Sequence, residues 1–136
     1  MTDFRKVTDD FAVAPQITVE DVRRAAAEGY TLLINNRPEG ESPDQTPGAE
    51  IEAAARAAGM DYAFIPITGG PTADQVRQET ALLAEATGPV LAYCRSGTRS
   101  IVTWSIGQAS AGVRPRDELV SLGRDAGYDL SGVLGG

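Results

Sequence analysis

Short apolar runs and amphipathic segments alternate along the chain. The apolar runs have the length of β-strands and contain many aromatic and β-branched residues; they span 11–14, 30–36, 61–67 and 89–94. The segments between them repeat apolar residues at helical spacing. The last run, PVLAYC, is almost wholly apolar, which is typical of a central strand covered on both faces.

Capping residues mark where two of the predicted helices begin. Thr18 is followed three residues later by Asp21, and Thr72 by Gln75, so side chain and backbone can pair at each helix start. A proline suits the first turn of a helix, and Pro47 predicts the start of another one.

Two more helices are predicted after the last apolar run. The first begins at Ser100 and is apolar on most of its circumference, which indicates a buried helix. The second runs from Pro115 to Ala126 and is followed by Gly127, a residue that commonly ends helices.

This alternation predicts an α/β fold in a single domain, residues 1–136. We expect a central, mostly parallel sheet of four or five strands with helices on both faces. The ligand site of such a sheet lies beyond the carboxyl ends of its strands. Cys94 ends the last apolar run, so the active-site loop is expected between the last strand and the buried helix.

Composition narrows the classes of function. The 136 residues include 19 acidic and 12 basic side chains, giving a net charge of −7 without a basic run, which disfavours nucleic acid and anionic membranes as partners. No stretch resembles a signal peptide or a membrane span, so we expect a cytoplasmic protein. One cysteine and no histidine permit no internal disulfide and disfavour zinc sites and serine triads. We expect neither a metal nor a cofactor.

The segment CRSGTRS, residues 94–100, carries the candidate chemistry. A thiol between a buried strand and a helix N-terminus lies among unpaired N–H groups and the positive end of a helix dipole, where thiols are more acidic and anions are favoured. The glycine lets successive amides converge over the sulfur, and the second arginine can hold an oxyanion with a planar fork of donors. We predict Cys94 and Arg99 as catalytic residues. The predicted substrate-binding residues are Arg95, Ser96, Gly97, Thr98, Ser100 and Arg37.

Each of these residues also has a purely structural interpretation. A lone cysteine at a strand end is commonly a small buried apolar residue, although the two arginines and the glycine beside Cys94 favour a nucleophile. Arg95 fits a solvated surface position as well as a substrate contact. Arg37 follows a strand and reaches the same sheet edge, where it, Glu39 and Glu41 either shape the pocket mouth or form a self-neutralising loop.

The motif resembles two enzyme families. CRSGTR is similar to the six-residue active-site loop of rhodaneses, in which a cysteine carries a sulfane sulfur. CRSGTRS also resembles the phosphate loop of cysteine-dependent tyrosine and dual-specificity phosphatases, but that loop has one residue more between cysteine and arginine. A shorter loop encloses a smaller cradle, which favours a single sulfur atom over a phosphate. Those phosphatases take an aspartate as general acid; in PITGGPTAD the only carboxylate is Asp74, which fits the first turn of a helix better.

The likeness extends over nearly the whole chain. INNRPEGE, AAARAAGMDYAFIPI and PVLAYCRSGTRS, followed by AGYDL, resemble the beta-lactamase-hydrolase-like, phosphatase-like domain family. That resemblance implies a tyrosine-phosphatase-like fold with sulfur-transferase activity, and a metallo-β-lactamase-fold persulfide dioxygenase as partner.

Three hypotheses of function follow from these features. The first is a sulfurtransferase that moves sulfane sulfur from thiosulfate or a low-molecular-weight persulfide through a Cys94 persulfide to a thiol or cyanide. The second is a cysteine phosphatase that forms a phosphocysteine on Cys94. The third is a non-catalytic module that binds a small anion.

Overall fold

The computed structural model describes residues 2–134. The strands in this part of the chain are β1 Arg5–Thr8, β2 Phe11–Ala14, β3 Leu32–Asn35, β4 Asp61–Phe64 and β5 Val90–Tyr93. The helices are α1 Val19–Ala27, α2 Gly48–Ala57, α3 Ala73–Glu85, α4 Thr98–Ser110 and α5 Arg116–Asp125.

The strands form one sheet in the order β1-β2-β5-β3-β4. β2, β5, β3 and β4 run parallel, and β1 pairs antiparallel with β2 at the edge. The predicted α/β class and mostly parallel sheet are confirmed. β1 was not predicted, because its sequence RKVT has one buried residue, Val7, and lacks the apolar run of an inner strand.

Helices cover both faces of the sheet. Alternate strand residues point to opposite faces, and those on one face pack against apolar residues of α1 and α2. Those on the other face pack against α3, α4 and α5, where Trp104 stacks on Phe11 with ring centroids 5.2 Å apart. Every residue of β5 is buried, which confirms that this strand is central.

Both predicted helix starts are confirmed as capping boxes. Thr18 and Asp21 exchange hydrogen bonds at the start of α1, and Thr72 and Gln75 do so at the start of α3. The prediction that Ser100 begins the next helix was wrong by two residues. Gly97, at φ +91°, turns the chain directly out of the loop, so α4 begins at Thr98.

Asn36 and Glu79 form a buried polar pair next to the carboxyl ends of the strands. The backbone of Asn36 donates to Tyr93 O and accepts from Ile67 N, at 2.8 and 3.0 Å. Its side-chain Nδ2 donates to Ile65 O at 3.1 Å and to Glu79 Oε1 at 3.2 Å. Glu79 is 1% exposed, and burial raises the pKa of its carboxyl to about 7.

Within residues 2–134, no helix combines the length and the apolar character needed to cross a membrane.

The buried carboxyl of Glu79 should make the stability of the protein depend on pH. Because the pKa of Glu79 is higher in the folded protein than its ordinary value of 4.5, the folded state binds the proton more tightly. This stabilisation is fully present below about pH 4.5 and is lost as the pH rises to about 7. We expect the free energy of unfolding of wild type, relative to Glu79→Gln, to fall by up to about 3 kcal/mol over this range.

Urea unfolding of both proteins between pH 4 and pH 8 measures this difference. Glu85→Gln removes an exposed carboxylate from the same helix and serves as the control. A difference between wild type and Glu79→Gln that does not change with pH would refute the account of Glu79.

Candidate active site

Cys94 follows the last residue of β5 and is completely buried. Its backbone N–H donates to Ala14 O at 3.3 Å, so the parallel pairing with β2 continues up to the cysteine. Its Sγ accepts a hydrogen bond from the backbone N–H of Gly97 at 3.1 Å. The loop therefore bends back over the sulfur as predicted, but in residues 2–134 the Gly97 amide alone bonds Sγ, whereas several successive amides were predicted.

Gly97 stands where a side chain would not fit. Its φ of +91° is one that other residues rarely adopt, and a Cβ there would collide with the hydroxyl of Tyr128. That hydroxyl donates to Ser96 O at 2.9 Å, so the segment after α5 holds the loop from outside. Tyr128 was not among the predicted site residues, because only the tertiary fold brings it to the loop.

The remaining loop residues differ in their surroundings. Ser96 Oγ and Thr98 Oγ1 are 2.9 Å apart and hydrogen-bonded, and both residues are exposed. Arg95 is also exposed. Ser100 is buried inside the first turn of α4, and its Oγ has no hydrogen-bond partner among the described residues. Ser100 therefore neither caps the helix nor bonds the sulfur here.

Arg37 and Arg99 meet on one carboxylate, that of Glu41. Both terminal nitrogens of Arg99 donate to Glu41, one to each oxygen, at 2.8 Å, and Nη1 also donates to Ile67 O at 2.7 Å. Arg37 Nε donates to Glu41 Oε1 at 2.9 Å, and its Nη1 donates to Gln16 Oε1 at 3.0 Å. The structure thus brings Arg37 to the predicted sheet edge, beside Arg99. Gln16 was not among the predicted site residues.

The charges of this cluster reinforce one another. The hydrogen bond from Arg99, with a smaller contribution from Arg37, lowers the pKa of Glu41 to about 2. The pKa of Arg99 is raised, chiefly by its hydrogen bond to Glu41 and also by its interaction with Cys94. The strongest partner of the Arg99 guanidinium is therefore the Glu41 carboxylate.

The other two acidic candidates, Glu39 and Asp74, both lie at helix starts. Glu39 Oε1 accepts from Gly48 N at 2.8 Å, at the start of α2. Asp74 lies in the first turn of α3, is 87% exposed and pairs with Arg77. Asp74 thus has the helix-start position predicted for it. Across residues 2–134, no group of three or more His, Cys, Asp or Glu side chains is placed to hold a metal ion.

The arrangement can stabilise negative charge on and beside the sulfur. One amide and the N-terminus of α4 face Sγ, and the cation of Arg99 lies in the first turn of the same helix. These surroundings favour the binding of a small anion beside Cys94.

Comparison with proteins of known sequence identifies the family of this chain. The family model described as "Beta-lactamase hydrolase-like protein, phosphatase-like domain" matches residues 3–111. A beta-lactamase hydrolase-like protein of Agrobacterium fabrum is 37% identical over 127 residues, which are 92% of this chain and 29% of that protein. One of Xylella fastidiosa is 36% identical over 126 residues, 91% of this chain and 29% of that protein. The chain therefore spans less than a third of the length of these curated relatives.

Solved structures show the same fold. A protein of Neisseria meningitidis described as a "putative phosphatase" has a TM-score of 0.83 at 31% identity, covering 95% of this chain and 92% of that chain. Tk-PTP in its active form has a TM-score of 0.73, covering 94% of this chain and 87% of that chain; at 14% identity this likeness concerns the fold alone. The predicted cysteine-phosphatase-like fold is confirmed. The chain belongs to the phosphatase-like domain family of the beta-lactamase hydrolase-like proteins.

Proposed function

We propose that the protein is a sulfurtransferase that moves sulfane sulfur through a persulfide on Cys94. The observation that carries this proposal is the short loop over the sulfur. Only residues 95–97 separate Cys94 from the first residue of α4, and the N–H of Gly97 already contacts Sγ. A cradle of this size suits one additional sulfur atom better than a tetrahedral phosphoryl group.

The reaction divides into two displacements at sulfur. In the first, the Cys94 thiolate attacks the sulfane sulfur of thiosulfate, the S–S bond breaks, and sulfite leaves with the electron pair. A low-molecular-weight persulfide reacts in the same way and releases its thiolate. In the second, an acceptor thiolate or cyanide attacks the outer sulfur of the Cys94 persulfide and regenerates the Cys94 thiolate.

The loop and the arginines have separate roles in this proposal. The amide of Gly97, together with the start of α4, stabilises the negative charge that the persulfide carries on its outer sulfur. Arg99 binds the anionic end of the donor, and the exposed side chain of Arg95 adds positive charge at the entrance. Ser96 lies in the loop itself, and Thr98 and Ser100 lie in the first turn of α4 behind it.

The charge state of Glu41 supports sulfur over phosphate chemistry. Hydrolysis of a phosphate ester needs a general acid to protonate the leaving oxygen, whereas sulfite and thiolates leave as anions. Glu41 is the carboxylate bound to Arg99, and with a pKa of about 2 it holds no proton at neutral pH. Asp74 is exposed in the first turn of α3 and paired with Arg77.

A second candidate function is a cysteine-dependent phosphatase. It is favoured by the scaffold, because the 31% identical Neisseria meningitidis structure and the more distant neighbours carry phosphatase names, whereas none of these names mentions sulfur. Here the Cys94 thiolate would displace an alcohol from phosphorus, and water would then hydrolyse the phosphocysteine. Hydrolysis of an activated aryl phosphate by wild type, absent in Cys94→Ser and inhibited by vanadate, would support this candidate.

Replacing Arg99 by lysine should weaken the binding of the sulfur donor. Arg99→Lys replaces a two-pronged contact by a point charge, so we expect the KM for thiosulfate to rise about tenfold. The rate of thiocyanate formation from thiosulfate and cyanide measures this, with Cys94→Ser as the blank. Arg77→Lys, an exposed substitution on α3, is the matched control. An unchanged KM in Arg99→Lys would contradict the role given to Arg99.

The close packing of Gly97 predicts a loss of both stability and transfer. Gly97→Ala introduces a strained φ and a collision with Tyr128, so we expect about 2–4 kcal/mol of destabilisation and at least a tenfold slower transfer. Gly112→Ala is the control, because Gly112 has a φ of +69° with open space around its Cβ position. Equal losses of stability in the two variants, with transfer retained, would show that the contact between Gly97 and Tyr128 does not shape the site.

A further inference from the structure

We propose that Arg37 and Arg99 form a binding site for a carboxylate of the substrate, and that Glu41 fills this site as a built-in substitute until the substrate displaces it. The starting observation is that three donor nitrogens of two arginines converge on the two oxygens of one glutamate side chain.

The arginines are anchored independently of Glu41. The side chain of Arg37 is only 4% exposed, and its other nitrogens donate to Gln16 Oε1 and Ser42 Oγ, at 3.0 and 3.2 Å. Arg99 starts from the first turn of α4 and also donates to the backbone oxygen of Ile67 at 2.7 Å. Removing the Glu41 carboxylate would therefore leave two preorganised cations facing one position.

Glu41, in contrast, reaches the site from an exposed loop. The segment 38–46 lies between β3 and α2, and the Glu41 side chain is 25% exposed. Its backbone N–H is held by the side chain of Gln45, at 2.8 Å. Rotation of the Glu41 side chain into solvent breaks no β-sheet or helix hydrogen bond, so this carboxylate can give way without unfolding the loop.

The geometry of the occupied site defines the class of ligand. Each terminal nitrogen of Arg99 donates to a different oxygen of Glu41. This two-pronged contact fits the planar shape of a carboxylate. Two cations share a single negative charge, so an incoming carboxylate meets a site with a net positive charge once Glu41 has left.

The site also lies next to the nucleophile. Arg99 lies in the first turn of α4, and the N-cap residue of this helix, Gly97, donates its N–H to Sγ, so a carboxylate in the place of Glu41 is bound at the same sheet edge as the sulfur. For the donor, this means a small persulfide whose carbon skeleton bears a carboxylate. This assignment of the donor rests on the proposed sulfur transfer, whereas the carboxylate site itself does not.

Alkylation of Cys94 tests the site without any transfer reaction. Iodoacetate and iodoacetamide both form an S–C bond with the thiolate and release iodide, but only iodoacetate carries a carboxylate. Cys94 is the only cysteine, so the rate of mass gain reports on this thiol alone. In wild type, the ratio of the iodoacetate rate to the iodoacetamide rate also reflects the attraction of the loop amides for any anion. The test of the carboxylate site is therefore the change of this ratio between wild type and the variants.

Glu41→Gln removes the competing charge while keeping the size of the side chain. We expect the ratio of iodoacetate to iodoacetamide rates to rise about tenfold, because the carboxylate no longer competes with an intramolecular one. Glu41→Ala should give a rise at least as large. In the double variant Glu41→Gln with Arg37→Gln, the ratio should fall back toward the wild-type value. The iodoacetamide rate and the far-UV circular dichroism of each variant show whether the fold is kept.

Glu50→Gln is the matched control, since it removes one negative charge from the exposed start of α2. An unchanged ratio in Glu41→Gln, or an equal rise in Glu50→Gln, would overturn the proposed site. If the ratio rises only in the Glu41 variants while no sulfur is transferred, the carboxylate site stands and the proposed sulfur chemistry fails.

Discussion

The parallel pairing of β5 with its two neighbours is the constraint on which the site depends. Tyr93, the last residue of β5, lies opposite both Ala14 of β2 and Asn35 of β3. The three strands therefore end at the same level, and the next two or three residues of each chain segment meet there. This register brings Gln16, Arg37 and Cys94 to one edge, although 77 residues lie between the first of them and the last.

The edge combines a thiol with positive charge from several sources. The start of α4 contributes the dipole and the amide over the sulfur, and Arg99 contributes a cation in the first turn of that helix. Arg37 adds a second cation. Its side chain is almost completely buried and donates hydrogen bonds to Gln16 and Ser42. With Glu41 in place, the two cations are partly neutralised, which keeps a buried guanidinium stable in the absence of substrate.

Much of this arrangement could be predicted from the sequence, because it depends on local signals. The apolar runs defined β2 to β5, the capping boxes defined the starts of α1 and α3, and the glycine of CRSGTRS indicated a loop curled over the thiol. Tertiary contacts set the rest. Tyr128 reaches the loop from the far side of α5, and Gln16 and Glu41 reach Arg37 from different connections, so no spacing in the sequence joins them. The buried position of Glu79 was also unforeseen, since a glutamate on a helix normally marks its solvent face.

The fold of a phosphatase and the loop length of a rhodanese imply different reactions at the same thiol. Intact-protein mass spectrometry after brief incubation with thiosulfate distinguishes them most directly, with wild type and Cys94→Ser run in parallel. We predict that wild type alone gains one sulfur atom and that cyanide removes it. No gain from thiosulfate, and none from a low-molecular-weight persulfide, would contradict the claim that Cys94 carries transferable sulfur.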